Sequence, residues 1–131
     1  MEAVYVKEEQ LRSYCERAFK KYGFNEQDSK TITDVLVAAD MYGIETHGSQ
    51  RLEMYRQHIQ KGYIEVGAQP SVAFETGISA VVDGNRAMGQ VVSKYAMDIA
   101  IEKAKKSGIG MVTVRNSNHY GIAGYYSNMA S

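Results

Sequence analysis

The chain has one cysteine, one proline, no net charge and no long apolar run among its 131 residues. A single cysteine, Cys15, excludes an internal disulfide and suits a reducing compartment. Its place on an apolar helical stripe makes it a buried structural thiol. Fifteen Lys+Arg balance fifteen Asp+Glu, which argues against a nucleic-acid partner, because phosphate binding needs a surplus of cations on one face. The run Lys103, Lys105, Lys106 is read as a helix C-terminus favoured by the helix dipole. No segment approaches the ~20 apolar residues of a membrane span, and the polar stretch from Met1 to Gln10 does not resemble a signal peptide. The expectation is a soluble cytoplasmic protein. Repeats and low-complexity segments are also lacking.

What is present is globular composition, 44% hydrophobic and 23% charged, in two halves of different character. Leu11, Tyr14, Cys15, Ala18, Phe19 and Tyr22 mark an amphipathic helix stopped by Gly23, with Phe24 folding back on its last turn. Asn25 caps a second helix, whose stripe is Ile32, Val35, Leu36 and Ala39 and whose end is Gly43. A third helix is predicted from about His47 to Lys61, closed by Gly62. Residues 1–66 are thus expected to form an all-helical domain.

Gly67, Gln69 and Pro70 mark a linker. Ser71–Phe74 and Ile78–Val82 are β-branched runs split by Thr76-Gly77, and Asp83-Gly84-Asn85 signals a turn. Met88, Val91, Val92, Tyr95 and Ile99 mark a long helix ended by Gly108, and Ile109–Val114 is the next strand. Residues 71–131 therefore read as the start of an α/β domain containing a β-α-β passage. The fold class is mixed α+β or α/β. It is non-Rossmann, because Gly108-Ile109-Gly110 precedes a strand instead of following one. Ile122, Tyr125, Tyr126 and Met129 form a last helical stripe with nothing downstream to cover it, so the fold is expected to be incomplete.

Two polar clusters could carry chemistry. On one continuous third helix, His47, Arg51, Met54 and His58 would project within about 60° of one another. Arg51 offers a rigid fork of donors that matches a carboxylate, and His47 one turn away could bind a second oxygen or move a proton. The alternative, favoured by spacing alone, is a solvated helix face capped by Thr46. A shared metal is not expected, since His47 and His58 would lie about 16 Å apart along the axis. The second cluster is Asn116-Ser117-Asn118-His119-Tyr120-Gly121, directly after the strand Val112–Arg115. A histidine where a strand gives way to a helix is well placed for acid–base work, with Asn or Ser fixing its tautomer. An exposed turn histidine is the alternative.

At these clusters the chain resembles the type-2 malate/L-lactate dehydrogenase family, which also includes ureidoglycolate, sulfolactate, 2,3-diketogulonate and piperideine-2-carboxylate enzymes. The matching stretches are 40–48 with Arg51 and Tyr55, 62–64, 82–85, 88–90 and 114–125. The pair His-Gly-x-x-Arg and Asn-Ser-x-His-x-Gly carries most of its specificity. The resemblance implies NAD- or NADP-dependent interconversion of a small 2-hydroxy acid and its 2-oxo acid, in a homodimer. By position, Arg51 would grip the substrate carboxylate, Thr46 and His47 would line the pocket, and His119 would exchange the proton, with His47 as the other candidate for that role. Members of the family are much longer, and most of their cofactor-binding residues lie past the position of Ser131. The expectation is an N-terminal fragment that is inactive alone; a non-catalytic interaction or dimerisation module derived from the family is the other reading.

Overall fold

The computed structural model describes residues 4–131 as five α-helices, three short 3-10 turns and one three-stranded sheet. Helix α1 spans Glu8–Lys21 and α2 spans Glu26–Met41. Gly23, at φ 103°, makes the left-handed reversal between them that a side chain would resist. Phe24 N–H then bonds back to Phe19 O at 3.1 Å, and the two rings meet edge to face 6.0 Å apart. The Asn25 side chain accepts from Asp28 N–H at 2.8 Å, the capping expected at the start of α2. Of the α1 stripe, Cys15 and Phe19 are fully buried, whereas Tyr14 faces solvent.

The third helix is shorter than its periodicity predicts. Helix α3 spans only Leu52–Gln60, and His47 belongs to a separate 3-10 turn, Glu45–His47. The break falls at Gly48, which is extended. There the Asp40 carboxylate of α2 comes so close that a Cβ on Gly48 would overlap it, and it accepts from Ser49 N–H at 2.9 Å. A long-range carboxylate thus takes the N–H that would have continued the helix. Arg51 lies in the next 3-10 turn, Ser49–Arg51.

Strand β1 (Ser71–Glu75) pairs antiparallel with β2 (Ser79–Asp83), and β2 pairs parallel with β3 (Met111–Arg115). Helix α4 (Gly89–Ser107) makes the crossover and ends at Gly108, at φ 80°. The parallel pair runs in step, Ser79 opposite Met111 through Asp83 opposite Arg115. Both strands therefore deliver their C-terminal ends to the same edge of the molecule. Val82, Ala87, Val92 and Ala96 form the core between sheet and α4. A second core joins Cys15, Phe19, Ile32, Leu36 and Tyr55 to Ile64 and Met88.

Helix α5 spans Ala123–Ser127. The stripe expected to stand bare is instead partly covered within the chain. Ile122 and Tyr126 are buried, α5 packs on α2 and α4, and Tyr126 Oη donates to Tyr120 O at 2.5 Å. Local spacing showed an apolar face; only the tertiary return of the chain supplied its partner.

Candidate active site

The loops that follow β2 and β3 are tied together before either reaches the helical half. The Asp83 carboxylate accepts from Asn85 N–H at 2.9 Å, from Asn116 Nδ2 at 3.1 Å and from Arg115 Nε at 2.8 Å. These contacts, the backbone N–H first, hold its pKa below the usual carboxylate value. Asn116 takes the left-handed conformation, φ 53°, which an Asn tolerates better than most residues. Arg86 N–H donates to its carbonyl at 2.8 Å. Asn118 Nδ2 then donates to Arg86 O and Ala87 O, each at 3.0 Å. Gly89 opens α4 directly beneath, where any Cβ would overlap the Asn118 and His119 carbonyls. The loop is clamped from two sides, and His119 stands at its end.

His119 meets the other cluster across the interior. Its ring stacks on His47 with centroids 5.5 Å apart and planes at 26°. Tyr55, fully buried on α3, places its hydroxyl 2.8 Å from His119 Nδ1, and buried Gln90 of α4 places Nε2 2.7 Å from that hydroxyl. Burial lowers the His119 pKa, and the charges of His47, Arg51 and His58 lower it further. Burial also pushes the Tyr55 phenol up to about 12. Thr46 Oγ1 lies 2.9 Å from His47 Nδ1. Arg51 Nε donates to Thr46 O at 2.5 Å and its Nη1 to Met54 Sδ at 3.6 Å, so Nη2 keeps its donors free among the described residues.

The structure thus brings Thr46, His47, Arg51 and His119 to one place, although His47 and Arg51 do not share the helix expected of them. His58 pairs edge-on with Tyr63 at 5.7 Å. The expectation that Asn or Ser fixes the His119 ring is corrected. Asn116 and Asn118 spend their amides on Asp83 and on backbone carbonyls, and Tyr55 holds the ring nitrogen. Tyr55 and Gln90 are functional candidates that the site reading overlooked. Each sits within a matched stretch, yet on a helix stripe either reads as core.

Among the described residues no three metal-ligating side chains cluster, and no helix is long and apolar enough to cross a membrane. No glycine-rich phosphate loop is present either. The N-terminal end of α4, the natural place for one in a β-α-β passage, is closed by the 118–119 backbone packed on Gly89. The described residues do not by themselves fit a dinucleotide.

Comparison with known proteins matches residues 6–131 to the profile of the malate/L-lactate dehydrogenase family. The malate dehydrogenase of Pyrococcus abyssi is 47% identical over 98% of the chain and 35% of its own length. The L-sulfolactate dehydrogenase of Methanocaldococcus jannaschii is 45% identical over 85% of the chain and 32% of its own. The solved malate dehydrogenase of Pyrococcus horikoshii superposes with a TM-score of 0.94 at 45% identity, over 97% of this chain and 36% of that one. The chain therefore spans about a third of the length of the relatives it matches.

Proposed function

Because the chain belongs to the malate/L-lactate dehydrogenase family, we propose that it supplies the acid-handling side of an enzyme interconverting a small 2-hydroxy acid and its 2-oxo acid. The observation that carries this reading is the stacking of His47 on His119, residues 72 positions apart, beside an arginine with free donors. Arg51 grips the substrate carboxylate with its guanidinium fork. Thr46 and His47 line the pocket. His119 exchanges a proton with the substrate oxygen, and the depression of its pKa by burial favours the neutral imidazole, the form that can take one.

The redox partner of this reading is a nicotinamide cofactor, NAD or NADP, held mainly by residues outside this chain. The described residues form no cradle for it. The 131-residue chain assayed alone is expected to show no turnover. The intact protein is expected to work as a homodimer and to oxidise NADH or NADPH with a 2-oxo acid such as oxaloacetate, pyruvate or sulfopyruvate. In that protein His119→Ala should cost on the order of 10²–10⁴ in kcat. Near-normal kcat would transfer the proton to His47. Absence of activity with every 2-oxo acid, in a folded intact protein, would favour a non-catalytic dimerisation module.

A further inference from the structure

Tyr55 has one hydrogen to give and stands between two nitrogens. Gln90 Nε2 is an amide nitrogen and can only donate, so at 2.7 Å the Tyr55 oxygen is its acceptor. The Tyr55 hydrogen is then left for His119 Nδ1 at 2.8 Å, which must present its lone pair. The phenol pKa of about 12 means that this hydrogen is retained throughout the working range. In neutral His119 the ring proton is consequently on Nε2, the nitrogen that makes no hydrogen bond among the described residues.

We propose that Gln90, acting through Tyr55, is the positioning residue that fixes His119 as the Nε2–H tautomer, and that half a turn of the Gln90 amide reverses this chain. The catalytic meaning of this device rests on the dehydrogenase reading; the tautomer itself does not.

The Gln90 side chain carries the argument for reversal. It is fully buried, and its Oε1 has no hydrogen-bond partner. With the amide as described, the carbonyl oxygen and one of the two Nε2 hydrogens are left over. With the amide turned, Oε1 accepts from Tyr55 O–H, Tyr55 oxygen accepts from His119 Nδ1–H, and the two hydrogens of Nε2 are left over instead. Orphaned buried donors are rarer than under-used carbonyls, so the first setting is the resting one and the second is a minor state.

The two settings offer a ligand different things, and by microscopic reversibility proton transfer in either direction passes through the second, while the first holds a ligand without transferring the proton. In the first, His119 Nε2–H is a hydrogen-bond donor to a 2-oxo oxygen. In the second, Nε2 is bare and can accept the hydroxyl proton of a 2-hydroxy acid, giving an imidazolium whose Nδ1–H remains bonded to Tyr55. Gln90 therefore makes the ligand-free site a donor. The groups facing His119 are Tyr55 and His58 from α3, His47 and Arg51 from the two 3-10 turns, and Gln90 behind Tyr55 from α4. The three charged or chargeable neighbours disfavour the imidazolium, as the resting chain does.

The test is nitrogen-15 NMR of histidine-labelled 131-residue chain, reading the tautomer and pKa of His119 in the wild type, Gln90→Met and Tyr55→Phe. The wild type should show a bare Nδ1 and a protonated Nε2. In Gln90→Met, Tyr55 is free to accept as well as donate, so the Nδ1–H tautomer should appear and the His119 pKa should shift upward. Tyr55→Phe should abolish the preference for either nitrogen. A wild type carrying Nδ1–H, or a tautomer unchanged in both variants, would overturn the proposal. The NMR readout needs no turnover. A normal kcat in His119→Ala would sink the catalytic role of His119 and leave the chain of hydrogen bonds standing, and the converse result would separate the two in the other direction.

Discussion

Replacing Gly89 by alanine sets two physical effects of opposite sign against each other. On intrinsic propensity, Gly→Ala in a helix gains roughly 0.5–1 kcal/mol, less at a first position such as this one. Against that, the added Cβ would overlap the Asn118 and His119 carbonyls, which are backbone atoms and cannot swing aside as a flexible side chain can. Overpacking of this kind costs about 1–3 kcal/mol. The loop cannot retreat freely, because Asn118 holds it to Arg86 O and Ala87 O and the Asp83 carboxylate holds Asn116. A net loss of about 1–2 kcal/mol follows, or roughly 3–10 °C in Tm for a domain of this size. Thermal melts followed by circular dichroism give the stability change, and the His119 imidazole resonances report whether the ring has moved relative to His47 and Tyr55. An unchanged or raised Tm with unmoved resonances would show that the clamp beneath His119 is not tight.

Three further outcomes are expected. In the intact protein Arg51→Lys should raise KM for the 2-oxo acid strongly with a smaller effect on kcat, because a point charge cannot copy a two-pronged contact; steady-state kinetics decide it, and an unchanged KM would remove Arg51 from the carboxylate. His119 has a folded pKa below its ordinary 6.5, so the unfolded chain takes up that proton first, and the stability present above about pH 6.5 is lost as pH falls through the folded value. Tm measured from pH 8 to pH 5 should therefore drop further in the wild type than in His119→Gln, and equal drops would contradict the shift. Cys15 is fully buried, with a thiol pushed up to about 11 by burial first and by the Asp40 charge second, so it should resist a disulfide-exchange reagent at pH 8 until denaturant is added; rapid labelling of the folded chain would show that α1 opens.

The local features were legible because they depend on neighbours in sequence. The apolar stripe through Cys15 and Phe19, the Asn25 cap, the Asp83-Gly84-Asn85 turn and the existence of two strands flanking α4 all rest on periodicity, capping and turn chemistry within a few residues; that those strands pair in parallel was decided across about 32 positions. The same holds for the types of residue that could bind a carboxylate and move a proton, since Arg51, His47 and His119 are singled out by polar company at the ends of elements.

The start of α3, the covering of Ile122 and Tyr126, and the holder of His119 Nδ1 were decided elsewhere. Asp40 stops the helix from nine residues away, and α5 packs on α2 and α4. Tyr55 reaches His119 across 64 positions, and Gln90 reaches Tyr55 across 35. Residues on a helix stripe announce burial, not partners. A buried hydroxyl or amide finds its partner wherever packing places one, and that placement exists only once the helical half and the sheet have closed on each other.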